Sequence, residues 1–203
     1  MHSPFRPLPG SGHPRRGLFI DRWGTLFELP GKGYASRFEQ AEFTPGAMDA
    51  LFRAGQSGWT LYLVGNEASV AFGRLSLSKW EAFEQDMLEH LRSHGIPIQR
   101  SYACTDHPAG SGSHAKDSVF LFPNTGCLYH AAQVDGVALR HSWVIGDSSL
   151  ELVAGWRAGC RLGGVRTGLG LTDGQLDVEP DIVDATLAGV LAEVTAAEHI
   201  PHR

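Results

Sequence analysis

Leu18-Phe19-Ile20-Asp21-Arg22-Trp23-Gly24-Thr25-Leu26 is the stretch that decides how this chain folds. A short apolar run that ends in Asp and turns through Gly-Thr reads as a buried strand delivering a carboxylate to the edge of a sheet. On either side of it, apolar runs of strand length alternate with segments of helical period. Residues 18–20 are the first strand. Residues 44–58 are expected as a helix, with Thr44-Pro45 in the N-cap and first-turn positions and Gly58 at its end. Residues 59–64 form a second strand, broken by Gly65-Asn66. The longest helix is expected over 76–94, capped by Ser76 or Ser78 and followed by Gly95. Its apolar residues Leu77, Trp80, Phe83, Met87, Leu88 and Leu91 recur at three-to-four spacing. A short strand at 101–104 then leads into an irregular Gly-, Ser- and His-rich loop over 105–118. A helix over 125–137 and a strand over 142–145 ending in Gly146-Asp147 come next. A helix over 149–158 closed by Gly159, strands over 160–165 and 181–183, and a helix over 185–198 complete the pattern. Such alternation predicts an α/β fold: a doubly wound, Rossmann-like parallel sheet with helices on both faces. In such sheets functional groups gather at the carboxyl ends of the strands. Asp21, Gly65-Asn66, the 105–123 segment and Asp147 all fall there.

Composition agrees with one domain. Of 203 residues, 42% are hydrophobic and 19% charged, enough for a full core. The formal net charge of −5 offers no basic surface, so nucleic acid is not an expected partner. No apolar stretch reaches the roughly 20 residues needed to cross a bilayer, so no membrane association is expected either. Residues 1–16 are rich in Pro, Gly and basic side chains without an apolar core segment, and are expected as a disordered arm rather than a signal peptide. The domain is then 17–198, with a short tail over 199–203. Three cysteines, Cys104, Cys127 and Cys160, suggest a reducing compartment without a disulfide framework, and a cytoplasmic location.

The order of motifs resembles the haloacid dehalogenase (HAD) superfamily, and more narrowly the small phosphatases for heptose bisphosphate and histidinol phosphate. The resemblance runs over roughly residues 17–185. LFIDRWGTLFE is similar to F-L-D-R-D-G-T-[IL]-N, and LVGNEASVAFG to V-x-T-N-Q-S-G-I-A-R-G. CTDHP stands for C-P-H-H-P, SVFLFPNTGCL for C-x-C-R-K-P-x-P-G-M-L, and IGDSSLE for V-G-D-x-x-x-D, with VRTG following. The resemblance implies a HAD-type domain without a large cap. It implies Asp21 as the nucleophile that takes the phosphoryl group. It also exposes losses. Trp23 replaces the acid/base Asp, and an indole has no exchangeable proton of useful pKa. Gly65 replaces the Thr whose hydroxyl holds phosphate, although the Asn66 backbone N–H could still donate. Phe122 replaces the Lys that neutralises nucleophile and phosphate, Leu121 the neighbouring substrate-binding Arg, and Phe72 a further Arg. Arg74 and Lys116 are candidates to supply charge from new positions, or are simply solvated. Trp23 either plugs the vacated phosphate pocket or stacks on a ligand ring.

The implied metal set is better kept. Mg²⁺ would be held by Asp21, the Trp23 backbone carbonyl and Asp147, with Glu151 where the family has Asp. The zinc loop of the family, C-x-H followed by C-x-C, keeps only Cys104; Asp106, Ser118 and Phe120 fill the other positions, so Zn²⁺ is not expected. Two functions follow. The first is a Mg²⁺-dependent hydrolase of a small phosphorylated sugar or related metabolite, its turnover weak or lost. The second is a non-catalytic pseudophosphatase that binds a ligand or a protein partner through the altered pocket.

Overall fold

Strand β1, Gly17–Asp21, is buried along its whole length, which its unbroken apolar run requires of a central strand. In this computed structural model, which describes residues 14–197, β1 pairs in parallel with β2 (Thr60–Val64) on one side and β4 (Trp143–Gly146) on the other. β3 (Ile98–Ser101) extends the sheet beyond β2, while β5 (Arg161–Val165) and β6 (Ile182–Asp184) extend it beyond β4. The order is β3-β2-β1-β4-β5-β6, and every pairing is parallel. The chain therefore winds outward in one direction from β1 and in the other from β4. The boundary between these two strands is the topological switch point, where ligands of such sheets bind.

The period-two alternation of β1 sorts the core into two layers. Leu18 and Ile20 face α1 (Ala47–Gln56), α3 (Leu77–Ser93) and α6 (Leu187–Ala197), packing with Leu51, Trp80, Phe83, Met87 and Leu191. Phe19 faces the other way, toward α4 (Gly126–Asp135) and α5 (Ser149–Ala158), joining Tyr62, Cys127, Leu128 and Leu152. The doubly wound sheet read from the sequence is thus present. One short helix, α2 (Ala68–Ala71), has no counterpart in the sequence reading.

Three expectations about element ends are corrected. The helix expected from Thr44 begins at Ala47, because the Thr44 hydroxyl turns back to the Thr25 carbonyl at 2.7 Å instead of capping. The strand expected over 101–104 lies earlier, at Ile98–Ser101; beyond it Tyr102 N–H donates to the Leu63 carbonyl at 2.8 Å and Cys104 bridges to Asn66. The arm expected over 1–16 is fastened to the domain by its last residues. The Arg15 side chain donates to the Asp135 carbonyl at 2.9 Å, and the Arg16 carbonyl accepts from Thr60 N–H at 2.9 Å. Residues 1–13, and with them most of the expected arm, lie outside the described residues, as does the tail 199–203. Cys104, Cys127 and Cys160 are buried free thiols. No helix among the described residues is long and apolar enough to cross a membrane.

Candidate active site

β1 ends in Asp21, and its neighbour β4 hands the chain to Asp147 one residue past its end. Glu151, one turn into α5, joins them. All three carboxylates are buried, and each offers an oxygen within 4.8 Å of the others. Among the described residues this is the one cluster suited to a metal ion. Crowding of like charges out of water makes the ionised state costly. Asp21 is raised well above the ordinary carboxylate range by burial and by Glu151 and Asp147, against the opposing pull of Arg22. Burial pushes Asp147 up to about 6, although the Leu169 N–H donates to its Oδ2 at 2.7 Å. Glu151 is pushed up to about 7 by burial and by Asp147.

The three are held differently. Gly24 and Gly168 press against the Asp147 carboxylate so closely that a side chain at either would collide with it. Glu151 is largely committed to its own helix: Oε1 accepts from Ser148 N–H and Oε2 from the Ser148 hydroxyl, both at 2.6 Å, a capping box. A cation would relieve the repulsion in this cluster. Asp21 and Asp147 could ligate it directly, with Glu151 behind them. The turn after β1 suits the third ligand. The Asp21 and Arg22 carbonyls accept from Leu26 and Phe27 N–H, whereas the Trp23 carbonyl takes no hydrogen bond among the described residues.

Trp23 is half-buried and faces a different layer. Its ring lies 5.5 Å from Phe27 and 5.6 Å from Phe83, and its Nε1–H donates to Glu67 Oε2 at 3.1 Å. Glu67, only 4% exposed, also accepts from the Ser69 hydroxyl. The sequence reading passed over Glu67, yet a signal was present: it replaces the Gln of the family's second motif where Trp23 replaces its Asp. Arg22 was passed over too. Although charged, it is 1% exposed, its Nη2 donating to Ser101 Oγ at 2.9 Å and lying 3.6 Å from Glu84.

On the β2 side, Gly65 has φ +143°, a backbone that L side chains rarely adopt, and a Cβ there would lie 2.7 Å from Asp21 Oδ1. Reinstating Thr at 65 would therefore strain the turn. Asn66 uses its side chain as a clamp: Oδ1 accepts from Phe122 N–H at 2.8 Å and Nδ2 donates to the Phe122 carbonyl at 3.3 Å. Phe122 itself is buried in the α4–α5 layer, and Leu121 is half-buried in the turn before it. The loop that follows Cys104 is held by contacts of its own. Asp106 pairs with His114 at 2.9 Å and Lys116 at 3.4 Å, Cys104 Sγ donates to the Asp106 carbonyl, and His107 lies against Phe72. Lys116 is thus paired with Asp106, and Arg74 is exposed.

A doubly wound sheet with a buried carboxylate at the end of its first strand, facing a second from the adjacent strand, is the arrangement of a HAD-type fold. No family model matches the chain. It is 31% identical over 164 residues to the D-glycero-beta-D-manno-heptose-1,7-bisphosphate 7-phosphatase of Mesorhizobium japonicum, covering 80% of this chain and 72% of that protein. It is 29% identical over 187 residues to the D-glycero-D-manno-heptose-1,7-bisphosphate 7-phosphatase of Thermosynechococcus vestitus, covering 88% and 94%. Among solved structures, the D,D-heptose 1,7-bisphosphate phosphatase of B. bronchiseptica, complexed with magnesium and phosphate, superposes with a TM-score of 0.77 at 24% identity, covering 90% of this chain and 99% of that one. The chain belongs to the heptose-bisphosphate phosphatase family of the HAD superfamily.

Proposed function

We propose that this protein binds Mg²⁺ and a small phosphorylated sugar, and transfers the phosphoryl group to Asp21 slowly. The observation that carries this reading is the convergence of Asp21, Asp147 and Glu151 at the switch point, with oxygens within 4.8 Å of one another. Asp21 and Asp147, with the Trp23 carbonyl, would hold the metal; Gly65 and Asn66 would line the phosphate side. Bound there, Mg²⁺ supplies charge neutralisation for the incoming phosphoryl oxygens. Asp21 attacks phosphorus through a carboxylate oxygen and the bond to the sugar oxygen breaks, the alkoxide taking its proton from solvent; water then hydrolyses the aspartyl-phosphate, releasing phosphate and freeing Asp21. Nothing at position 23 can protonate that leaving oxygen or later activate water. General acid/base help is worth about 10²–10⁴ in rate, so turnover is slow at both steps. The three unpaired thiols accord with a cytoplasmic setting.

The tie between the Trp23 indole and Glu67 favours a second reading, in which the scaffold binds a metabolite or a partner protein without turnover. Leaving-group chemistry separates the two. An aryl phosphate such as p-nitrophenyl phosphate expels a phenolate without needing a proton. The slow-phosphatase reading expects a Mg²⁺-dependent burst of about one p-nitrophenolate per protein, then a slow phase. Absence of any burst in folded, Mg²⁺-loaded protein would favour the non-catalytic reading.

A further inference from the structure

Arg22 presents one arm of its fork to the pocket. Its Nη2 is satisfied on the far side by Ser101 and Glu84, its guanidinium carbon lies 5.4 Å from the Trp80 ring centre, and its buried Nε meets no acceptor. Nη1 meets no acceptor among the described residues either. It fronts the gap over Gly65: the point where a side chain at 65 would begin is 3.4 Å from Nη1 and 2.7 Å from Asp21 Oδ1. A guanidinium buried in a low-dielectric site, with Nε unsatisfied and Nη1 turned toward a carboxylate-lined gap, is favoured by an anion that takes up the Nη1 donor.

We propose that Arg22 is the anion-binding cation of this pocket, taking a phosphoryl oxygen on Nη1 across the gap that Gly65 leaves open. The inference rests on the phosphoryl-transfer reading of Asp21. It joins two replacements that look like separate losses. Phe122 removes the ammonium from one wall. Glycine at 65 removes the side chain that would otherwise stand between the guanidinium and the nucleophile. With the lysine gone, the positive charge left beside the nucleophile is Arg22 in the turn after β1, at a position where F-L-D-R-D-G-T also carries Arg. Charge-assisted hydrogen bonds from guanidinium to phosphate are among the stronger polar contacts, so one arm is enough to matter.

The test is calorimetric titration of the Mg²⁺-loaded full chain with inorganic phosphate, with folding checked by near-ultraviolet circular dichroism. Arg22→Gln should weaken phosphate by about tenfold or more. Arg22→Lys, which keeps the charge and loses the fork, should also weaken it. Glu84→Gln, which removes the partner on the far side, should stay within about threefold of wild type. If Arg22→Gln does not fold, undiminished binding by Arg22→Lys overturns the proposal. So does undiminished binding by a folded Arg22→Gln, a loss in Glu84→Gln as large as in Arg22→Gln, or a wild type that binds no phosphate. Phosphate binding that depends on Arg22, in a protein that hydrolyses no phosphate ester, would leave this inference standing and refute only the slow-phosphatase reading.

Discussion

The two walls of the pocket have fared differently. The β1–β4 wall keeps its carboxylates, Asp21 and Asp147, buried and close, with Glu151 behind them. The positions where the family has its acid and its lysine are apolar: Trp23 sits against Phe27 and Phe83 on one face of the sheet, and Phe122 lies in the α4–α5 layer on the other. The contrast shows which parts of such a site depend on the backbone and which on side chains. A metal would be held by two carboxylates that adjacent strand ends bring together, Asp21 and Asp147, and by one backbone carbonyl that no substitution removes. Phosphate anchoring and proton transfer depend on four side chains, and substitution alone can remove them. What remains polar near those positions, Glu67 and Arg22, is buried and tied to neighbours.

The sharpest way to narrow the difference between the walls is to restore the acid. Trp23→Asp alone would place a carboxylate beside Glu67, so the pair Trp23→Asp/Glu67→Gln is the informative variant. It should raise sugar-phosphate turnover by about 10²–10⁴ over wild type, read as steady-state phosphate release. Trp23→Asp without the second change should gain less. Restoring the lysine is expected to fail. Phe122→Lys puts an ammonium into a site now 4% exposed, and should cost about 3 kcal/mol in urea unfolding without a matching gain in rate.

The smallest effect probes the carboxylate wall by pH. Asp147 near 6 and Glu151 near 7 titrate above the ordinary range. The native protein therefore holds protons that the unfolded chain has already released at those pH values. Without metal, stability should fall as pH rises from about 4 to about 7. Mg²⁺ competes with those protons, so its affinity should rise across the same window. Thermal melts at pH 5 and pH 8 should show the metal-free protein losing about a few degrees at the higher pH, and Mg²⁺ restoring more there than at pH 5. A Tm that rises with pH in metal-free protein would contradict the crowded cluster.

Most of the fold was legible because doubly wound strands are buried on both faces and read as continuous apolar runs, as 18–20 and 59–64 do. The long helix was legible from its stripe; Ser76 caps it as expected, accepting from Lys79 N–H at 3.4 Å. What escaped were residues whose partners lie far along the chain. Thr44 looked like a helix cap, but its hydroxyl is taken by a carbonyl 19 residues earlier. Arg15 and Arg16 looked like part of a polar arm, although the end of α4 holds the first and β2 the second. Arg22 and Glu67 looked like ordinary charged residues, which are seldom fully buried. Their contacts with Ser101, Glu84 and Trp23 exist only once the sheet has formed. The metal-ligand candidates were legible because motif order places both aspartates at strand ends. The positive φ of Gly65, which a threonine would be strained to adopt, was not, since a glycine in a sequence does not report its own φ.

If Asp21 still receives a phosphoryl group although Trp23 and Phe122 stand where the acid and the lysine would be, phosphate release must depend on it. The direct measurement is Mg²⁺-dependent phosphate release from a panel of sugar phosphates, comparing wild type with Asp21→Asn in protein shown to be folded. Slow release by wild type should be lost in the variant and on removal of Mg²⁺. Release by wild type no greater than by Asp21→Asn would contradict it, and would mean that the carboxylate wall is kept for binding alone.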